Sequence, residues 1–316
     1  MYGIGGARIS AQDGATVRMD PDGAVGVMSG VTEQGQGTEA ILAQIVAHGV
    51  GVPVTRVKVI TGDTQTTPYG GGTWACRGAG IGGEAALQSA IALKQQILVV
   101  AGAMLQAAPE SLDIVLGQVV DRDSGRERMP LGELGRIVYY RGDTLPKDLP
   151  RELVQTRHFI TKEYPFAFTN GIQASWGEVD TETGMVKLLE HWCVEDCGRV
   201  INPLLVDEQV RGGIVQGLGG ALYEHCIYDE QGNLLTTTMA DYLVPMSAEM
   251  PDMHVGHVET PTRESLLGAK GAGEAGTAGA PAALMNAIND ALRPLGARVT
   301  EQPFTPARIL RALGQI

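Results

Sequence analysis

The chain has 316 residues, 44% of them hydrophobic, four cysteines and a formal net charge of −12. That size and apolar share suit a folded protein of two domains or one large one, and the negative charge argues against a nucleic-acid backbone or an anionic membrane as the main partner. The longest uninterrupted apolar run, ILVVAGAML at 97–105, is about half of what a membrane span requires, and MYGIGGARIS at the start lacks the basic and apolar regions of a secretory leader.

In chain order, ATVRMDPDGAVGVMSG reads as a hairpin around Pro21-Asp22-Gly23. The apolar spacing from Thr38 predicts a helix to His48, stopped by Gly49, and RVKVIT predicts a strand. A long helix is expected from about Gly83 to Leu105, a strand near 113–120 and a short helix from Leu131. After the proline- and charge-rich link GDTLPKDLPRE, strands are predicted over 156–198 with a turn at Asp180 to Gly184. A helix from Leu204 to Tyr223, a hairpin at Asp229 to Asn233 and the helix PAALMNAINDAL follow. The reading is an α+β protein of two mixed helix/sheet domains, 1–150 and 151–316.

Four cysteines (Cys76, Cys193, Cys197, Cys226) are too few for a disulfide framework in a chain of this length, which predicts a reducing, cytoplasmic setting. Cys193 and Cys197 lack the second pair that a zinc tetrad needs and read as buried small hydrophobes.

Glycine is the outlier: 43 residues are roughly twice the usual share of about 7%. They fall in clusters, each with a polar residue among small ones: EQGQGTE (Gln34, Gln36), YGGGTWACRGAGIGG (Thr73, Arg77), VQGLGG (Gln216) and KGAGEAG (Lys270, Glu274). Clustered backbone N–H groups at helix starts suit an anion. Gly271, Gly273 and Gly276 satisfy the dinucleotide spacing G-x-G-x-x-G, as do Gly78, Gly80 and Gly83. Neither copy follows a strand directly with an acidic residue about twenty positions on, and Glu274 would press its charge on a pyrophosphate, so the fingerprint is rejected. The carboxylate at Glu274 then needs its own reason, either an ion pair with Lys270 or service as a general base.

GQGTEAILAQIVAHGVGVPVTRVKVITGDT, PYGGGTWACRGAGIGG, DCGRVINPLLVDEQVRGGIVQGLGGALYE and MADYLVPMSAEMPDMHVGHVETPT with GAKGAGEAGTAGAPAALMNAINDAL together resemble the molybdenum-cofactor-binding half of the xanthine oxidase/aldehyde oxidase family of molybdenum hydroxylases. The similarity covers nearly the whole chain, with the motifs in family order. It implies molybdenum carried by a molybdopterin, usually the cytosine dinucleotide form in bacterial members, with the metal held by the pterin dithiolene. It implies hydroxylation of an electron-poor carbon, in an N-heteroaromatic or an aldehyde, with water-derived oxygen. Glu274 matches the catalytic glutamate of G-x-G-E, flanked by Gly271 and Gly273. Gln36, between Gly35 and Gly37, matches the glutamine of G-Q-G that approaches the metal's apical oxo ligand, and Gln216 matches the glutamine of Q-G-x-G at the pterin. Thr73, Trp74, Ala75, Cys76, Arg77 and Gly78 fall on the segment lining the pterin and its phosphates, where members often have Ser in place of Cys76.

Complete members carry several hundred residues before the matched region, and this chain opens at that junction. The resemblance therefore implies an active site shared with a large molybdopterin subunit, as in the split, nicotinate dehydrogenase-like arrangement, with 2Fe-2S and FAD subunits to pass electrons onward. The alternatives are a non-catalytic carrier or assembly protein for the cofactor, in which Glu274 is structural, and a scaffold subunit without cofactor.

Overall fold

A computed structural model of the chain describes residues 12–161 and 167–316. The opening stretch read for a leader, and 162–166 within the predicted strand region, lie outside the described residues. Contacts divide the chain into two compact units, one holding residues up to Ala167 together with Pro261–Gly271, the other Phe168–Thr260 with Ala272–Ile316.

In the first unit β1 (Gln12–Met19) alternates, burying Ala15, Val17 and Met19 completely while Thr16 and Arg18 face away. The chain reverses at Asp20–Ala24, where Gly23 takes φ 81° and Asp22 accepts the Ala24 N–H at 2.9 Å, and returns as β2 (Val25–Ser29) in the expected hairpin. Helix α1 (Thr38–Val50) runs past the predicted stop. Gly51, at φ 95°, ends it, whereas a Cβ at Gly49 would lie 2.7 Å from the Ala90 Cβ, so Gly49 serves a close helix crossing instead. Strand β3 (Val57–Ile60) then pairs in parallel with β2.

A π-helical turn at Gly78–Gly83 leads without a break into α2 (Glu84–Leu105). By length and apolarity alone this 28-residue stretch could cross a membrane; here α2 packs against α1, β1 and β4, with Ala86, Leu93, Ile97 and Val100 fully buried.

The single strand expected near 113–120 is two, β4 (Leu112–Val115) and β5 (Gln118–Asp121), which pair antiparallel. Leu116 and Gly117 both adopt left-handed conformations (φ 50° and 80°) and make the two-residue turn. Leucine is an unusual turn residue, so the hairpin was not legible. Strand β6 (Glu127–Pro130) and α3 (Leu131–Tyr140) follow, and then β7 (Val154–Ile160), which lies beyond residue 150 yet pairs antiparallel with β1, Thr16 opposite Thr156. The main sheet order is β3-β2-β1-β7, and it carries β7 into the first unit, against the division at 150.

The second unit is a three-stranded sheet, β10-β9-β8, with two crossing helices. β8 (Asn170–Val179) and β9 (Val186–Asp196) form the hairpin around Asp180 to Gly184, with the Gly184 N–H donating to the Asp180 carbonyl at 2.8 Å. Helix α4 (Pro203–Leu222) is capped by Asn202, whose side chain accepts the Leu205 N–H at 3.2 Å. Strand β10 (Asp252–His257), not predicted, adds in parallel to β9, while the expected hairpin at Asp229 to Asn233 is a turn closed by one bridge, Tyr228 to Leu234.

Helix α5 (Ala275–Leu292) starts six residues before the predicted Pro281, which therefore lies inside it and removes one backbone hydrogen bond. Its contact with α4 explains why the helix extends through Pro281. A Cβ at Gly276 would overlap the Val210 carbonyl oxygen and lie 2.7 Å from the Ile214 nitrogen, and one at Gly217 would sit 3.0 Å from the Ala280 Cβ. Above these contacts Ile214, Leu218, Leu284 and Ile288 form the core, joined by Ile309 from α6 (Pro306–Ala312). Cys193 and Cys197 are buried, as expected; burial pushes their thiols up to about 11 and about 12.

Candidate functional site

The sequence-predicted residues form two groups, one in each unit. In the first unit the loop before α1 folds around a carboxylate. Glu33 Oε1 accepts the backbone N–H groups of Gln34, Gly35 and Gly37 at 3.1, 2.8 and 3.1 Å, and its Oε2 accepts that of Glu39 at 2.9 Å. Burial pushes Glu33 up, but these four bonds outweigh it and hold its carboxyl below the ordinary value. The anion-binding geometry read from the glycine cluster is thus present, with the chain's own carboxylate in it.

Gln36 is equally engaged. Its Nε2 donates to Thr32 O at 3.2 Å and Thr38 Oγ1 at 2.7 Å, and its Oε1 accepts the Gln34 N–H at 2.6 Å.

The second glycine cluster is stitched to the first. Thr73 Oγ1 accepts the Thr32 N–H and donates to the Thr32 carbonyl, at 2.9 and 2.6 Å, and Gln34 Nε2 donates to Thr73 O at 3.1 Å. Backbone meets backbone where a Cβ at Gly30 would overlap Gly70 Cα. The Arg77 guanidinium, 1% exposed, is committed inward, donating to Asp13 Oδ2 and Gly72 O at 2.7 Å each and to the Gln12 carbonyl. Burial pushes the Asp13 carboxyl up against the pull of Arg77. Residue 77 can therefore offer a ligand its backbone, not its charge. Trp74 stacks beside that guanidinium at 5.7 Å and donates its indole N–H to Gly71 O at 2.8 Å.

Ala75 and Cys76 both lie in the left-handed region, at φ 48° and 59°. Two consecutive non-glycine residues there cost about 1–2 kcal/mol each, strain of the kind that collects at ligand clamps. Gly78 opens the helical run behind them.

In the second unit a cavity of about 670 Å³ gathers Glu274, Gly273 and Gln216 with Gln173, Asn170 and Thr277. Glu274 stands at the N-terminus of α5 but makes no capping hydrogen bond with its side chain, so capping does not explain it. It is exposed, whereas the backbone-tight position of the motif is Gly276, whose missing Cβ lets α5 meet α4. Thr277 Oγ1 lies 3.0 Å from Gly213 O and 3.3 Å from Gln216 Oε1, tying the two helices at the cavity wall. Gln209 Nε2 donates to Gly273 O at 3.0 Å. Lys270, weighed as an ion-pair partner for Glu274, is 7% exposed; it and Gly271 fall on the first unit's side of the division, which runs through the motif. Glu33, Gln173 and Gln209 were missed by sequence reasoning, because nothing local distinguishes a Gln or Glu that braces a loop from one on a surface.

Fold and site together define an α+β cofactor-binding protein, with loops built for close approach and donors suited to hydrogen bonding. The family model described as a molybdopterin cofactor-binding domain matches residues 1–251, and the chain belongs to that family. It is 38% identical over 307 residues to the nicotine 6-hydroxylase large subunit of Paenarthrobacter nicotinovorans, covering 97% of this chain and 37% of the relative. To the carbon monoxide dehydrogenase large chain of Hydrogenophaga pseudoflava it is 28% identical, covering 95% and 37% respectively. The crystal structure of quinoline 2-oxidoreductase from Pseudomonas putida 86 matches with a TM-score of 0.86 at 38% identity, covering 96% of this chain and 38% of that one. The chain thus spans well under half the length of these relatives.

Proposed function

We propose that the chain is the molybdopterin-binding subunit of a molybdenum hydroxylase that oxidises an electron-poor carbon of an N-heteroaromatic or an aldehyde, with Glu274 as general base. The observation that carries this reading is the second-unit cavity, which brings Glu274, Gly273 and Gln216 together from separate parts of the sequence. The residues fit a pterin-borne metal: the cavity offers amide and hydroxyl donors with one accepting carboxylate, and the first-unit loops pair tight backbone with the left-handed Ala75–Cys76 step.

When bound, the molybdenum–pterin group, in its cytosine dinucleotide form, supplies the two-electron redox chemistry. The chain supplies position and a base. Within the first unit the 73–78 backbone and Gln36 would be the groups offered to the cofactor, Gln36 only by exchanging its Thr32 and Thr38 contacts; within the second unit Gln216 would offer its amide. A Glu274 carboxylate oxygen takes the proton released as water-derived oxygen enters the substrate. The matched relatives carry the names of large subunits or chains, which supports partner chains for this one as well, a large molybdopterin subunit together with 2Fe-2S and FAD subunits receiving electrons.

Glu274→Gln tests the reading in the purified complex, with quinoline and nicotine as probe substrates and single-turnover rates normalised to molybdenum. The expected result is a rate lowered by about 100 to 10,000-fold with metal content retained. Reduction at the wild-type rate would remove Glu274 from the chemistry.

A further inference from the structure

Behind the cavity wall lies a hydrogen-bonded row that the assigned roles do not use. Gln173, on the face of β8 toward α5, donates from Nε2 to the carbonyl oxygens of Ala275 and Gly276 at 2.9 and 3.0 Å. Those are the two residues that follow Glu274. With both amide hydrogens so used, Gln173 Oε1 must accept, and its partner is His191 Nε2 at 3.1 Å. His191 is 0% exposed, and burial pushes it down to about 4, so its ring is neutral; with the proton on Nε2, Nδ1 accepts from the Ser175 hydroxyl at 3.0 Å. The donors thus run in one direction, Ser175 to His191 to Gln173 to the first turn of α5. Gly279, one turn on, leaves the room: a Cβ there would lie 3.0 Å from Gln173 Cδ and 3.1 Å from Nε2.

We infer that Gln173, oriented by His191, is the positioning residue for Glu274, clamping the turn that carries the carboxylate to strand β8. An exposed carboxylate at a helix terminus otherwise frays with that terminus, and a base displaced by about 1 Å can lose a hundredfold in rate. The inference rests on Glu274 as the base, but the clamp itself is read separately.

Two variants of the full complex test it, Gln173→Met, which keeps length and removes both donors, and Gly279→Ala, which crowds the amide at a helical site where alanine is otherwise favoured. Amide hydrogen exchange is followed on peptides covering 272–279, and turnover is measured with quinoline. The expected result for both is exchange about tenfold faster or more in 272–279, with β9 peptides unchanged. Molybdenum content is retained, and kcat falls about 10- to 100-fold at nearly constant KM. Gln173→Asn, which keeps the donors on a shorter arm, recovers part of both. Wild-type exchange in both variants would overturn the clamp. Faster exchange with unchanged kcat, in a protein where Glu274→Gln abolishes turnover, would overturn the positioning role. Faster exchange in a protein where Glu274→Gln is also harmless would instead overturn the proposed function while leaving the clamp in place.

Discussion

Replacing Gly276 with alanine should destabilise the second unit, although intrinsic helix propensity favours alanine by about 1 kcal/mol. The new Cβ would overlap the Val210 carbonyl oxygen and lie 2.7 Å from Ile214 N and 2.9 Å from Gly213 C, all backbone atoms that cannot swing aside. Reaching ordinary contact at about 3.4 Å means moving α5 bodily from α4 by about 1 Å, set by the overlap with the Val210 carbonyl oxygen. A gap of that size forfeits about a quarter to a half of each dispersion contact across the interface, which includes Ile214, Leu218, Leu284 and Ile288. Overpacking of this kind costs typically about 1–3 kcal/mol, and the absence of a movable side chain puts this site at the upper end, so a net loss of about 2 kcal/mol is expected. Gly212, also in α4, is the matched control, because a Cβ there meets nothing within 4 Å. Gly212→Ala should stabilise by up to about 1 kcal/mol. Urea unfolding followed by tryptophan fluorescence reads both, since Trp176 and Trp192 sit on β8 and β9. A Gly276→Ala protein as stable as Gly212→Ala would refute the close-crossing argument.

Arg77→Leu leaves Asp13 buried without its cation and should cost about 3–5 kcal/mol in urea unfolding of the first unit, of which adding Asp13→Asn recovers a part; a loss under about 1 kcal/mol would mean the pair is solvated. Stability should also fall in acid because of His191. Unfolding returns this ring from about 4 to its ordinary value of 6.5, so the unfolded chain takes up a proton the native one refuses. The contribution is complete above pH 6.5 and is lost as pH falls toward 4, by up to roughly 3 kcal/mol. His257, whose two carboxylate partners raise it against burial, slopes the other way, its contribution present below 6.5 and lost as pH rises. Melting temperatures of wild type and His191→Gln across pH 4 to 7.5 separate the two, and an unchanged acid limb in the variant would exclude His191.

The sequence by itself determined the elements whose signals are local. Pro21-Asp22-Gly23 made the β1–β2 turn, apolar spacing placed α1, α2 and α4, and the glycine clusters marked the segments that carry the sequence-predicted site residues, VQGLGG inside α4 and the other three in loops at helix starts. Four motifs in order also pointed to the family the comparisons show. What the sequence left open depends on contacts between distant residues. The pairing of β7 with β1 joins segments about 140 positions apart, and no local periodicity states which sheet a strand enters. Gly49 looked like a helix stop and proved to be a crossing point, because the difference lies in Ala90 on another helix. Pro281 looked like a helix start, whereas packing of Gly276 and Ala280 on α4 sustains the helix through it. At the site, Glu274 stood out in the sequence as a carboxylate among glycines and so as a candidate base, but Gln173 and His191 did not stand out. A hydrogen-bond relay has no sequence period; it exists only once β8, β9 and α5 are folded against one another and burial removes the water that would otherwise satisfy each group separately.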